Sequence, residues 1–146
     1  MTTEAHNGLS HPFDVAIVGL GPVGCLAAIL FAEAGLKVVA VEKEAQVYTL
    51  PRAVNLDGEI IRALQPIGLA ETVNQMMQPI RGNERAGFAN SKREWLFGGN
   101  AVAVGSSGWQ PANMFDQPEL ESFLRTQVLS HANVSHYVGY EVTEFF

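Results

Sequence analysis

The stretch DVAIVGLGPVGCLAAILFAEAGLKVVAVEK, residues 14–43, decides the fold of this chain. Three glycines at the spacing G-x-G-x-x-G, Gly19, Gly21 and Gly24, separate a short apolar run from a run with helical spacing. A second apolar run follows and ends at Glu42. Strand, tight turn, helix and strand within about thirty residues predict a βαβ unit whose crossover is right-handed.

The boundaries of this unit follow from composition and from helix-end signals. The apolar run Val15–Val18 predicts a strand buried on both faces of a sheet, and Lys37–Val41 predicts a second buried strand. The helix should run from Pro22 to Ala34, because proline is favoured in a first turn and Gly35 suits a helix end. The sequence therefore predicts the α/β class.

The three glycines have separate uses in a nucleotide-binding turn. The first allows a sharp turn off the strand, the second lets the backbone approach a pyrophosphate, and the third lets the helix pack against the strand. The helix N-terminus adds unpaired N–H groups and a positive dipole end. The residues of this stretch predicted to contact a nucleotide are Gly19, Gly21, Pro22, Val23, Gly24, Glu42 and Lys43.

Glu42 lies about 20 residues after the glycine turn, at the end of the second predicted strand. A carboxylate there can accept hydrogen bonds from ribose hydroxyls and would repel a 2′-phosphate, so NADP is disfavoured at this site. Cys25, inside the helix, is expected to be a small core residue rather than a reactive thiol. The glycine motif alone leaves FAD and NAD both open.

Composition limits the classes of function. The 146 residues are 47% hydrophobic and 16% charged, which fits one folded domain with a core. A net charge of −6 with no lysine or arginine run argues against a nucleic-acid surface. The single cysteine excludes an internal disulfide and favours the cytoplasm. No apolar run is long enough to span a membrane, and no metal site is predicted.

The middle of the chain predicts a loop, a helix and a hairpin. Residues 47–55 form a polar and aromatic loop, and Asp57 is the expected N-cap of a helix that ends near Gly68. The apolar stripe of this helix is Ile60, Ile61 and Leu64. A β-hairpin is predicted over residues 84–104, where ERAGFA and REWLF are joined by Asn90-Ser91.

The last part of the chain predicts one helix and two strands. Asp116 is the expected N-cap, with Glu119 three residues on as in a capping box. The buried face of this helix is expected to be Leu120, Phe123, Leu124 and Val128. A strand is predicted over Val134–Val138, and a further strand should begin at Tyr140 and reach the chain end.

Two segments decide between the nucleotides. LPRAVNLDGEIIRALQPIGL and NMFDQPELESFLR are not features of an NAD dehydrogenase. Together with the glycine turn they resemble the class A flavoprotein aromatic hydroxylases, and most of all the 3-(3-hydroxyphenyl)propionate hydroxylase branch. That branch has a similar GPVG turn, a VVEK sequence at the second strand, a PRA loop, an IGL helix end and a QP helix start. The resemblance spans residues 13–146 and is weakest over residues 76–109.

The resemblance implies a Rossmann-like FAD-binding fold of the glutathione-reductase type, incomplete here and carrying a small inserted β-hairpin region. The expected divisions are a loose arm over residues 1–12, a first part of the FAD-binding domain over 13–83, a β-rich insert over 84–107 that could belong to a substrate domain, and a second, truncated part over 108–146. The family's later Asp-Gly and Gly-Asp motifs are absent. The chain is therefore expected to be an N-terminal fragment that is inactive alone.

The resemblance also implies roles for residues outside the glycine turn. Arg52, in LPRAV, matches an arginine that reaches the pyrophosphate side of FAD, and a guanidinium suits phosphate oxygens. Gln117 matches a glutamine that hydrogen-bonds the cofactor from a helix start. Arg125, two turns further on, is expected on a solvated helix face, with a contact to the cofactor as the alternative. No catalytic residue is identified.

The implied activity is that of a flavoprotein monooxygenase. NAD(P)H reduces FAD, and O₂ supplies the hydroxyl for a small phenolic substrate such as 3-hydroxyphenylpropionate. No nucleic acid or membrane partner is expected, and a homo-oligomer is left open. Three alternatives stay open: another FAD enzyme of the same fold, such as an epoxidase, reductase or amine oxidase; an NAD(P)-dependent dehydrogenase; and a non-catalytic dinucleotide-binding protein.

Overall fold

The computed structural model describes residues 12–50, 52–80, 85–100 and 104–144. These residues form two compact units. The first unit combines the described residues up to Val47 with those from Glu121 onward, and the second runs from Tyr48 to Leu120. The predicted arm over residues 1–11 lies outside the described residues.

The helices and strands are given in chain order. They are β1 (Val15–Val18), α1 (Pro22–Glu33), β2 (Val38–Glu42), β3 (Asn55–Leu56), α2 (Gly58–Leu64), a 3₁₀ helix (Gln65–Ile67), α3 (Ala70–Gln75), β4 (Gln78–Pro79), β5 (Arg85–Ala89), β6 (Trp95–Asn100), β7 (Asn113–Met114), α4 (Gln117–Ser130) and β8 (Val134–Val138).

The first unit is built on a parallel sheet in the order β1-β2-β8. Val15 pairs with Val38, and Val38 pairs with Val134 on its other side. The βαβ unit of the glycine stretch is therefore confirmed, with β1 and β2 parallel and α1 between them in sequence. The fold is of the α/β class, as predicted.

The core of this unit consists of small and branched apolar residues. Its buried members on α1, β2, α4 and β8 are Cys25, Ala28, Ile29, Ala32, Val38, Ala40, Leu124, Val128 and Val134. At the end of α1, Gly35 has a positive φ of 86°, and its N–H donates to the carbonyl of Ala32. This glycine ends the helix as expected.

Two predictions about the strands of this unit are wrong. The expected burial of β1 on both faces fails, because β1 is an edge strand of the described sheet and Val18 is 56% exposed. The strand expected from Tyr140 onward does not form over residues 140–144, and residues 145–146 lie outside the described range. The N–H groups of Gly139 and Tyr140 instead donate to the carbonyl of Glu42, which holds this segment in a turn.

The second unit contains a small antiparallel sheet, β3-β7-β4, and a separate hairpin, β5-β6. The hairpin confirms the sequence prediction and has an irregular register at Phe88/Ala89. Asp57 caps α2 by accepting the N–H groups of Glu59 and Ile60, at 3.1 and 3.2 Å. The predicted stripe of α2 is only partly right, because Ile60 is 37% exposed whereas Ile61 is buried.

The last helix begins as its sequence predicts. Asp116 Oδ1 accepts the N–H of Glu119 at 3.0 Å. Leu120, Leu124 and Val128 are buried. Within the described part of the chain, no helix is long and apolar enough to cross a membrane.

Candidate functional site

The carboxyl ends of the parallel strands meet at one edge of the first unit. A cavity of about 270 Å³ lies there. Its lining residues are Val18, Gly19, Val41, Glu42, Lys43, Tyr140, Glu141 and Val142. In open parallel sheets, ligands bind outside this edge, so the cavity marks the candidate site.

The glycine turn beside this cavity uses its three glycines in different ways. Gly19 has a φ of +99°, a conformation that other residues rarely adopt, and its N–H donates to the carbonyl of Val41 at 2.7 Å. A Cβ at Gly24 would overlap the backbone carbonyl of Gly19, so α1 can approach the turn only with glycine there. At Gly21 φ is −69°, and an added Cβ would meet no protein atom within 4 Å. The protein itself therefore requires the first and third glycines but not the second.

The N-terminus of α1 begins in this turn. Gly21 is the N-cap and makes no side-chain capping bond, Pro22 occupies the first turn, and no acidic residue lies there. Val23 is 84% exposed. The first N–H groups of a helix have no intrahelical partner, and the positive dipole end favours an anion beside them. This helix end is therefore suited to a phosphate group.

Glu42 is buried at the end of β2, with 8% of its surface exposed. Its Oε2 accepts the N–H of Leu20 at 2.6 Å, and its Oε1 accepts the N–H of Glu44 at 2.7 Å. Arg125 Nη2 lies 3.6 Å from Oε2. The carboxylate therefore ties the end of β2 to the glycine turn.

The Glu42 carboxyl is held in its ionised form. Burial alone would raise its pKa, but the two backbone hydrogen bonds and the charges of Arg125 and Lys43 outweigh burial and hold the pKa below its ordinary value of 4.5. An ionised carboxylate has about four lone-pair positions, so acceptor capacity remains for ribose hydroxyls. The structure thus adds a structural role to the ligand role predicted from the sequence.

Cys25 is a core residue, as predicted. It is fully buried, and its Sγ donates to the carbonyl of Leu20 at 3.2 Å. Burial raises the pKa of the thiol to about 12, so it is protonated at neutral pH.

Arg125 corrects the sequence-based expectation of a solvated helix face. Only 8% of this residue is exposed. Its guanidinium donates to the carbonyls of Leu20 and Glu44, at 2.9 and 3.1 Å, and to Glu121 Oε1 at 3.1 Å. The expectation was wrong because the two carbonyl acceptors, on Leu20 and Glu44, lie far along the chain from α4, where no local pattern shows them. The one local signal was the i,i+4 spacing of Glu121 and Arg125, which permits an ion pair on a helix.

Arg52 and Gln117 belong to the second unit and contact each other there. Gln117 Oε1 accepts the N–H groups of Arg52 and Ala53, at 3.0 and 2.8 Å. The Arg52 guanidinium carbon lies 4.8 Å from the centre of the Tyr48 ring. The glutamine at the start of α4 therefore holds the loop that carries the predicted phosphate ligand. The preceding residue of the PRA loop, Pro51, lies outside the described residues.

A parallel sheet, a glycine turn that opens a helix and a buried acid at the end of the second strand are typical of α/β dinucleotide-binding domains. The family model of the FAD binding domain matches residues 12–145, so the chain belongs to this family.

Curated relatives of the chain are aromatic hydroxylases by name. It is 34% identical over 132 residues to the 3-(3-hydroxy-phenyl)propionate/3-hydroxycinnamic acid hydroxylase 1 of Burkholderia vietnamiensis, covering 90% of this chain and 21% of that protein. It is 37% identical over 117 residues to the probable NADH-specific resorcinol 4-hydroxylase of Rhodococcus jostii, covering 80% of this chain and 22% of that protein. The chain therefore spans about a fifth of the length of these relatives.

A solved structure supports the fold. The p-nitrophenol 4-monooxygenase of Pseudomonas putida superposes with a TM-score of 0.69 at 24% identity, covering 86% of this chain and 31% of that one. At this identity the similarity shows the fold alone. The resemblance to the flavoprotein aromatic hydroxylases seen in the sequence is confirmed, because the chain belongs to the FAD binding domain family and the curated relatives carry hydroxylase names.

Proposed function

We propose that the chain is the FAD-binding part of a flavoprotein monooxygenase that hydroxylates a phenolic substrate resembling 3-hydroxyphenylpropionate, using NAD(P)H and O₂. The names of the curated relatives support the substrate class, and the name of the resorcinol hydroxylase supports a nicotinamide co-substrate. When bound, FAD supplies the redox and oxygen chemistry. The residues of this chain bind and orient it.

The observation that carries the proposal is the open space at Gly21. No protein atom lies within 4 Å of the position that a Cβ would take there, and φ is compatible with any residue. The fold therefore gives no reason for glycine at this position. A pyrophosphate passing close to the backbone does, because any side chain would occupy its space.

The remaining contacts follow from the charges at the sheet edge. The N-terminus of α1, with Pro22 and Val23 in its first turn, favours the phosphates. Glu42 accepts the ribose hydroxyls of the adenosine half, and Lys43, exposed on the cavity wall, offers a positive charge. This arrangement supports a Rossmann-like fold of the glutathione-reductase type.

Two residues of the second unit complete the proposed contacts with FAD. The Arg52 guanidinium would bond the pyrophosphate side, and Gln117 would both hold the Arg52 loop and contact the cofactor. We place residues 84–107 in a substrate domain, supported by the exposed, stacked rings of Phe88 and Phe97 on the hairpin. A cytoplasmic location is supported by the free Cys25.

The decisive experiment replaces Gly21 with aspartate in the whole protein that carries this chain. Aspartate is a preferred N-cap residue and suits the extended conformation observed at Gly21, so α1 should keep or gain stability. Its side chain and negative charge would stand where the pyrophosphate passes. We expect a folded protein, with unchanged thermal unfolding, that is purified without bound flavin and does not take up added FAD.

The matched control is Gly99→Asp. Gly99 lies in the exposed strand β6, and an added Cβ there also meets nothing within 4 Å. This variant should keep FAD. A Gly21→Asp protein that binds FAD like the wild type would refute the site. The activity itself is tested by O₂ uptake with NADH or NADPH and 3-hydroxyphenylpropionate, and a protein that consumes no O₂ with any phenol would refute the hydroxylase proposal.

A further inference from the structure

Arg125 and Glu42 hold the same two residues of the candidate site by opposite backbone groups. Glu42 accepts the N–H groups of Leu20 and Glu44. Arg125 donates from Nε to the carbonyl of Leu20 and from Nη1 to the carbonyl of Glu44. We infer that Arg125 is a positioning residue, which fixes the glycine turn and the end of β2 in their FAD-binding arrangement before the cofactor binds. This inference rests on the proposed function.

The geometry requires arginine rather than any cation. Three acceptors on different parts of the unit surround the guanidinium: the carbonyls of Leu20 and Glu44, and Glu121 Oε1. The planar guanidinium presents five N–H donors in a fixed fork, whereas the ammonium of lysine is a point charge on a flexible stem. Lysine would keep the charge near Glu42 and Glu121 but could not hold both carbonyls at once.

The residues that Arg125 holds are those on which the site depends. Leu20 lies between Gly19 and Gly21, so its carbonyl fixes the turn at the open position proposed for the pyrophosphate. Glu44 follows Glu42 and Lys43, which line the cavity. If the turn sampled other conformations, the apparent affinity for FAD would fall in proportion to the fraction of protein whose turn is in the FAD-binding conformation.

The test compares the wild type with Arg125→Lys in the whole protein. We expect the dissociation constant for FAD to rise at least about tenfold, chiefly through slower association, because fewer molecules hold the competent turn. In the apoprotein, hydrogen exchange at the amides of Leu20 and Glu44 should become faster. The amide of Ala40, within β2, should exchange as in the wild type.

The control for a merely structural effect is Val128→Ala. Val128 is fully buried on the same helix but belongs to the apolar core. This variant should lower the unfolding temperature and leave the FAD association rate and both amide exchange rates unchanged. Arg125→Met leaves the buried carboxylates of Glu42 and Glu121 without their cation and can fail to fold. Arg125→Lys keeps the cation and is therefore the variant used in the test.

The outcomes separate this inference from the proposed function. An Arg125→Lys protein with wild-type FAD affinity, or with unchanged exchange at Leu20 and Glu44, would overturn the positioning role. An equal loss of affinity in Val128→Ala would do the same, since general destabilisation would then explain both. A wild-type protein that binds no FAD would instead refute the proposed function itself.

Discussion

The sheet edge of the first unit and the Arg52 loop of the second unit both carry predicted FAD contacts, but they satisfy their polar groups differently. At the sheet edge, Glu42 and Arg125 are almost fully buried and are paired with each other and with backbone groups. In the loop, Arg52 is exposed. Its backbone N–H donates to the amide oxygen of Gln117, so the hydrogen bond to Gln117 fixes the backbone of Arg52 and not its guanidinium.

This difference predicts whether a substitution in each region should lower stability, ligand affinity or both. A buried, charged network leaves unpaired charges when one member is lost, so stability and ligand affinity should fall together. An exposed guanidinium can be lost with little effect on the fold, so only ligand affinity should change. Substitutions in the two regions therefore test this difference when stability and FAD affinity are both measured.

The largest effect is expected at Gly24, within the sheet-edge region. In Gly24→Val, the new Cβ would overlap the backbone carbonyl of Gly19, which cannot move without opening the turn. We expect a loss of about 4 kcal/mol or more in the free energy of unfolding, measured by denaturant titration, or a failure to fold.

Gly21→Ala is the matched control for Gly24→Val, since its Cβ meets no protein atom. The free energy of unfolding of this variant should stay within about 1 kcal/mol of the wild type. A Gly24→Val protein as stable as Gly21→Ala would show that the turn is not closely packed and would remove the contrast between the two glycines.

The next effect is expected for Glu42→Ala. This variant removes the acceptor of two backbone N–H groups and the partner of a buried arginine. Breaking a buried pair costs about 3–5 kcal/mol of stability, and the lost bonds to ribose should raise the FAD dissociation constant at least about tenfold. Denaturant unfolding and FAD titration measure the two losses. Glu71→Ala, at an exposed acid on α3, is the control and should change neither.

Glu42→Ala should lower stability and FAD affinity together. If Glu42→Ala lost FAD affinity while keeping wild-type stability, the carboxylate would serve the ligand alone. The sheet edge would then resemble the Arg52 loop, and the comparison between the two regions would fail.

The sequence predicted the glycine turn well because its requirements are local. The positive φ of Gly19 is a property of that residue alone, and Gly24, in the first turn of α1, meets the Gly19 carbonyl only five residues back along the chain. The ends of β1 and α1 likewise follow from apolar runs and from proline and glycine signals. These features depend on residues that are near in the chain, so sequence patterns can predict them.

The parts that the sequence did not predict depend on distant contacts. The two carbonyl acceptors of Arg125 lie 105 and 81 residues away along the chain, so a helix pattern placed this residue on a solvated face. The segment after β8 contains β-forming residues and was predicted to be a strand, but its first N–H groups pair with the Glu42 carbonyl instead. Tertiary contacts decide both outcomes.

A smaller effect on the free energy of unfolding is expected when the pH is lowered and Glu42 becomes protonated. Its pKa in the folded protein lies below the ordinary value of 4.5. A carboxyl of this kind stabilises the fold above its unfolded pKa, and that contribution is lost as the pH falls through its folded pKa. The difference in unfolding free energy between the wild type and Glu42→Gln should therefore be constant near neutral pH and narrow below pH 4.5. A difference that widens on acidification would mean that Glu42 is not held as the anion.

The smallest effect is expected for Arg52→Lys. The backbone N–H groups of Arg52 and Ala53, which Gln117 accepts, remain in this variant, so the loop and the stability of the protein should not change. Lysine keeps the charge but cannot bond two phosphate oxygens as a fork, so FAD affinity should fall about three- to tenfold. Gln117→Met should add to this loss, because it removes both the acceptor that holds the loop and the proposed contact with the cofactor. Isothermal titration with FAD and thermal unfolding of each variant distinguish these results.

Stability losses as large as those of Glu42→Ala would show that the loop is as tightly built as the sheet edge. Unchanged FAD affinity in Arg52→Lys would remove this arginine from the proposed site.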